Sequence, residues 1–439
     1  MARKLRLKKK YRRMLRKIKR FLFLLIIILI IIFFVKTITT KNYIESISIK
    51  ESTLHVKVIE TDDVLYCILS EDKPSLDDDW EEVKNDECVI EYKDKSNLYI
   101  KNDDKILYST KDTLYLETID NDTIYVPVNG YYRYYKYVLG NTSKVKVNEY
   151  DNSIINFKDG VIQGLKEGST HLTLTTDDKE YHVNVFVTSL ISNRSTSGYD
   201  YKKPYLACKK YTDEQAELLD TILENRIKSV GYKTRAGAVE AARFLTLDFP
   251  YRINYFYENG RQTTNKVDGE GRYYHVGLYL TESKYSDLTG STTTKNKGPW
   301  GCSLYSYPAK RKIDNGLDCS GFVSWALLNA GFDVKDVGAG WSDDADLTDF
   351  GEVRKITTDL SISNEIKVGD LLHSEKAGGH IGIIVGIDKN YYYIAQALWF
   401  DEIGVIVTKI EKENLKNEFP HVVLMDKYYQ DDGYLTNMW

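Results

Sequence analysis

Cys319, His380 and Gln396 are the three side chains whose types and spacing could do covalent chemistry in this chain of 439 residues. Cys319 lies in LDCSGFVSWALLNAGF, where Phe322, Val323, Ala326, Leu327 and Ala330 recur at helical spacing. Asp318 and Ser320 flank it as cap-type residues, which predicts that the sulfur sits in the first turn of that helix. Unpaired amides and the positive dipole end there favour the thiolate, the form that attacks carbonyl carbon. A cysteine nucleophile needs a base beside it, and the base needs a third polar group to fix its ring. His380 and Gln396 supply those two roles. The bland alternative is an inert, buried thiol beside an apolar helix.

A hairpin must bring the last two together. In HIGIIVGIDKNYYYIAQAL, residues 380–398, His380, Gly382 and Ile384 alternate with Ile381, Ile383 and Val385. With Asp388-Lys389-Asn390 as a three-residue turn, Gln396 stands opposite Gly382 and diagonal to His380, on its face. A two- or four-residue turn would send Gln396 to the wrong face. Among the other histidines, His373 after GDLL is the serious competitor for the base. His55, His171 and His182 fall in β-rich stretches, and His275 and His421 lie in aromatic surroundings that suggest packing.

Around this constellation the chain divides. Residues 1–20 hold twelve Lys or Arg and no acid; with Lys36 they leave 47 of the 60 bases against all 64 acids for the rest. So acidic a body argues against nucleic acid, which calls for basic faces. FLFLLIIILIIIFFV, residues 21–35, is wholly apolar. No small-x-small cleavage site follows it, so the expectation is an uncleaved transmembrane anchor over 21–40 in the lipid bilayer. The basic start would hold the N-terminus in the cytoplasm and put everything past residue 40 outside.

The expected fold is multidomain: the transmembrane helix, two β-sandwich (Ig-like) domains at 41–108 and 109–189, a linker at 190–204, and a C-terminal α+β domain at 205–439. Thr212 and Gln215 form a capping box that opens the last of these, with Leu219, Ile222, Leu223, Ile227 and Val230 as its first buried stripe. Residues 254–300 read as a long insertion able to wall a cleft. Of five cysteines, four would be left to pair beside Cys319. Locality favours Cys67–Cys88 and Cys208–Cys302 among three connectivities, and four reduced thiols are the equal alternative. No spaced Cys/His set suggests zinc, and neither metal nor cofactor is expected.

Two resemblances add to this. The stretch INFKDGVIQGLKEGSTHLTLTTDDKEYHVNVFVT resembles the bacterial immunoglobulin-like group 2 domain, which implies a spacer or wall-associated module. L-D-C-S-G-F-V, then G-D-L-L, then G-H-I-G-I-I-V-G and Y-I-A-Q-A resemble the NlpC/p60 cysteine peptidases over about residues 230–425, which implies a papain-like fold for the α+β domain. That resemblance implies Cys319 as nucleophile, His380 as base and Gln396 as third polar residue, where the family more often has His. It implies action on the stem peptides of bacterial cell-wall peptidoglycan, typically at the D-γ-glutamyl bond to a diamino acid. It also makes Asp318, Ser320 and an aromatic residue candidates for substrate binding. Tyr307 has the family's spacing before the cysteine without its glycines, and Tyr251 is the alternative. An amidase between glycan and peptide, or an inactive wall-binding scaffold, would use the same domain.

Overall fold

A computed structural model describes most of residues 43–435; outside the description lie 1–42, 51–52, 60, 62, 92–95, 111–114, 119–122, 134, 140–145, 159, 176–179, 193–202, 207, 209, 256–275, 287–298, 307–310, 315, 335–346, 376–378, 400–403, 430 and 436–439. Strand dominates. The expected fold class is corrected on one point: among the described residues no helix is long and apolar enough to cross a membrane. The apolar run that prompted that expectation, residues 21–40, lies outside the described residues.

Three cores organise the described residues. The first gathers Leu54, Val56, Leu98 and Ile100 between a three-stranded and a four-stranded sheet. The disulfide Cys67–Cys88 joins the two sheets, since Cys67 lies on Tyr66–Ser70 and Cys88 on Glu87–Glu91. The second core holds Ile124, Val126, Ile155, Ile162, Leu172, Leu174, Val183, Val185 and Val187. Its long strands Gly168–Thr175 and Glu180–Thr188 pair antiparallel with alternating burial, so one face is apolar and the other is wet. Both layers are sandwich-like.

The third and largest core is α+β. Helix α1 (Asp213–Val230) starts at the expected capping box: Thr212 Oγ1 accepts from the Gln215 amide and Gln215 Oε1 accepts from the Thr212 amide. Helix α2 (Arg235–Arg243) runs into a π-helical turn, Phe244–Asp248, and is buried on every side, charged residues included. Helix α3 (Cys319–Asn329) is likewise buried nearly all round. The amphipathic stripe read from its sequence was therefore too narrow. One side of α3 packs on the sheet and another on α2. Trp325 reaches Gly277 on a further side, its Nε1 donating to that carbonyl at 2.9 Å. Leu278, Tyr279, Leu280 and Trp300, from the stretch expected to be an insertion, thus belong to the core.

Strands β1 (Glu352–Lys355), β2 (Leu371–Ser374), β3 (His380–Ile387), β4 (Tyr391–Leu398), β5 (Gly404–Glu411) and β6 (His421–Leu424) form one antiparallel sheet in the order β1-β6-β2-β3-β4-β5. Arg235 ties α2 to this sheet and to the end of the chain. Fully buried, it donates to the Val368 carbonyl and to Asp370 Oδ1, each at 3.0 Å, to Asp432 Oδ1 at 3.0 Å and to Asp426, and it lies over the Tyr429 ring.

The stretch expected to be a free linker is held at both ends. Ser192 donates from its amide and hydroxyl to the Asp248 and Leu247 carbonyls, and Lys203 Nζ donates to those of Thr246 and Phe249. Residues 193–202 between them lie outside the described residues. From α1, Arg226 donates to the Tyr125 carbonyl of the second core at 3.0 Å and covers the Tyr132 ring. The second disulfide, Cys208–Cys302, joins the entry of the chain into this region to the approach to α3.

Candidate active site

Cys319 is the first residue of α3 and the one free cysteine among the described residues, 6% exposed. Asp318 is the N-cap, its Oδ1 accepting the Gly321 amide at 2.7 Å and the Ser320 hydroxyl at 3.3 Å. The predicted trio Asp318, Cys319 and Ser320 therefore occupies one turn, whose early amides have no acceptor within the helix. Gly316 is fixed just upstream by close approach: a Cβ there would stand 1.7 Å from the Asn254 carbonyl oxygen. Asn254–Tyr255 pairs in parallel with Gly316–Leu317, so a second short strand braces the turn that carries the sulfur.

His380 opens β3, against which α3 packs. Its Nε2 lies 2.6 Å from Gln396 Oε1 on β4. Gln396 Nε2 in turn donates to Thr408 Oγ1 on β5 at 2.5 Å. Because the amide nitrogen is committed to Thr408, the oxygen faces the ring and accepts, which places the proton on His380 Nε2 and leaves Nδ1 as the basic atom. Gly382 makes room for this arrangement, since a Cβ there would press on Ile394 and on Gln396 Cβ at 3.2 Å.

The register near Gln396 is the expected one, reached differently. Ile383 pairs with Ala395 and Ile384 with Ile394, but Gly386 pairs with Tyr393 and Ile387 with Tyr392. The turn is a residue tighter than expected: the Asp388 amide donates to the Tyr391 carbonyl across Lys389-Asn390. Asp388 Oδ1 secures it by accepting the Asn390 and Tyr391 amides, both at 2.7 Å. A bulge at Val385 absorbs the difference and returns Gln396 to the face of His380.

The His380 ring has its proton affinity lowered, first by burial and further by the nearby His373, with the Gln396 hydrogen bond opposing. Phe419 packs on it with ring centres 5.8 Å apart. His373, the rival base, pairs across strands with Ile381 and His421 and so points to the other face of the sheet. Tyr251 stands in an aromatic group with Tyr211 and Phe249, with Lys210 over its ring. Tyr307 lies outside the described residues. The aromatic pair beside the cysteine strand is instead Tyr255 and Trp399, edge to face at 5.2 Å. Neither was singled out from sequence. Their signal was only that Trp399 follows β4 and Tyr255 follows Tyr251. Among the described residues no group of three or more His, Cys, Asp or Glu stands together as a metal site requires.

Two expectations follow. Thr408→Val should lower kcat/KM about 3- to 10-fold at nearly constant KM, the loss of one neutral hydrogen bond that orients the base, measurable by steady-state kinetics. In a Cys319→Ala background His380 should make stability fall on acidification. The folded state resists the proton that the unfolded chain accepts near 6.5, so unfolding free energy drops as pH falls below that value. Urea midpoints from pH 5 to 8 should show the slope, and His380→Gln should flatten it.

No curated protein matches the chain. Among solved structures, the crystal structure of the S-layer protein rSbsC(31-844) matches at 20% identity, covering 35% of this chain and 25% of that one, with a TM-score of 0.14. A chimeric titin Z1Z2-Z1Z2 tandem functionalised with a GRGDS peptide from fibronectin matches at 13% identity over 31% of this chain and 91% of that one, with a TM-score of 0.10. Residues 300–412, which include Cys319, His380, Gln396 and Thr408, match the NlpC/P60 family, a family of cell-wall hydrolases that are typically cysteine peptidases.

Proposed function

We propose that this protein is a cysteine endopeptidase that hydrolyses the D-γ-glutamyl bond to a diamino acid in peptidoglycan stem peptides, during cell-wall remodelling. The observation that carries the reading is the His380–Gln396–Thr408 relay on the sheet against which the cysteine helix packs, within the NlpC/P60 match. The Cys319 sulfur, its proton passed to His380 Nδ1, attacks the peptide carbonyl and forms a tetrahedral oxyanion. Amides of the first turn of α3 face the developing charge. His380 then gives its proton to the departing amine, the thioester forms, and a water deprotonated by the same ring releases the acid.

Asp318, Ser320 and the Tyr255–Trp399 pair border the cysteine turn and are assigned to the substrate side. Action outside the cytoplasm accords with the two disulfides. The sandwich-like layers at 41–108 and 109–189 are assigned as immunoglobulin-like spacers preceding the domain at 205–439. The test is incubation of the full chain with purified wall, followed by mass analysis of the soluble products. Fragments cut after the γ-linked glutamate are expected. Intact stem peptides would replace this reading with an amidase, and no release at any pH would leave a scaffold.

A further inference from the structure

The bulge that places Gln396 has a dedicated partner. Arg243, on α2 and 1% exposed, donates from both Nε and Nη2 to the carbonyl of Val385, at 2.9 and 2.6 Å. Val385 is the extra residue between the Ile384–Ile394 and Gly386–Tyr393 pairs. A bulge takes its residue out of the ladder, and a carbonyl buried there needs another donor. Without the bulge, the tight Lys389-Asn390 turn would carry its register unbroken along the hairpin. Gln396 would then stand opposite Ile383 and face away from His380.

We propose that Arg243 is a positioning residue: by holding the Val385 carbonyl it stabilises the bulge, and through the bulge it keeps Gln396 on the face of His380. Its link to catalysis rests on the reading of His380 as the base. Arg243 touches neither the ring nor the amide; it acts through a backbone carbonyl five residues along β3 from the histidine. The bulge lets a two-residue turn coexist with the site register, and α2 supplies the donor because it packs across β3.

The full chain is compared with Arg243→Lys, Arg243→Met, and Arg243→Met with Val385 deleted. Deleting Val385 removes the extra residue, so the same turn then delivers Gln396 to His380 without a bulge. The readouts are nitrogen-15 spectra of the histidine rings, which report the hydrogen-bonded Nε2 proton of His380, and kcat and KM on wall fragments. The Nε2–H signal is expected to weaken in Arg243→Lys and vanish in Arg243→Met. In parallel kcat should fall about 3- to 10-fold in the first and about 10- to 100-fold in the second, with KM within about 2-fold. The deletion should restore the signal. The proposal is overturned by a folded Lys or Met variant with wild-type signal and kcat, or by a folded deletion variant that does not recover the signal. If Arg243→Met does not fold, Arg243→Lys decides alone by the same two criteria. A wild-type chain that releases nothing from wall, yet whose Nε2–H signal still follows Arg243, would remove the peptidase reading and keep this one.

Discussion

Cys319→Ala is expected to leave purified cell wall undigested, with release at least about ten-thousandfold below wild type, while the protein stays folded. The sulfur is the acyl acceptor of the proposed mechanism, and a nucleophile and its base act as a unit, so removing one forfeits nearly all of what both supply. His380 and Gln396 remain, but with only water to activate. The fold should tolerate the change: the residue caps no helix itself, Asp318 still accepts the Gly321 amide, and the lost volume is a single sulfur, costing about 1 kcal/mol. Mass analysis of soluble fragments together with circular dichroism checks both halves. A folded variant that releases fragments at the wild-type rate sinks the assignment of the nucleophile.

Arg235→Met is expected to be the most damaging change to stability away from the site, lowering unfolding free energy by about 3–5 kcal/mol at pH 8. Its guanidinium is the cation that faces Asp370, whose carboxylate is buried and also accepts the Met425 and Lys367 amides. Burial already raises the proton affinity of Asp370, with Arg235 and those amides opposing. Without Arg235 that opposition weakens, and Asp370 stays buried most easily by taking a proton. A carboxyl whose folded pKa lies above its ordinary value loses stability as pH rises through the interval between the two. The deficit should therefore be smaller at pH 5 than at pH 8. Urea unfolding of both proteins at the two pH values measures it, and a small, pH-independent loss would refute the account.

What could be read from the chain was local chemistry. Asp318 as cap, Cys319 in the first turn and His380 on a strand follow from residue type and short-range period, and the structure places all three so. Gln396 arrived on the right face by a route the sequence did not disclose: the turn is a residue shorter than expected, and the bulge at Val385 cancels the error. Neither the bulge nor Arg243 has a local signature, because the donor lies on a helix far earlier in the chain. Thr408 and Phe419 were illegible for the same reason. Thr408 meets Gln396 only once the register of a third strand is known, and Phe419 meets His380 only after β6 folds back beside β2. The nearly fully buried α3 defeated the amphipathic pattern, since Trp325 and Ser324 lie buried where a two-layer packing would leave them wet. Where the chain closes on itself, period alone underdetermines the neighbours.

The staple between Cys208 and Cys302 has a mechanical consequence. It gives the chain a covalent shortcut that bypasses α1 and α2 and leads directly to the short segment before Cys319. In the proposed mechanism the acylated sulfur would be fastened to the wall polymer, and any load on the β-rich modules would be carried between the two. Tension would then run along the backbone from 319 to 302, across the sulfur–sulfur bond, and out through residue 208. The two helices that support the sheet lie off this line of force, so traction on the modules need not unravel them.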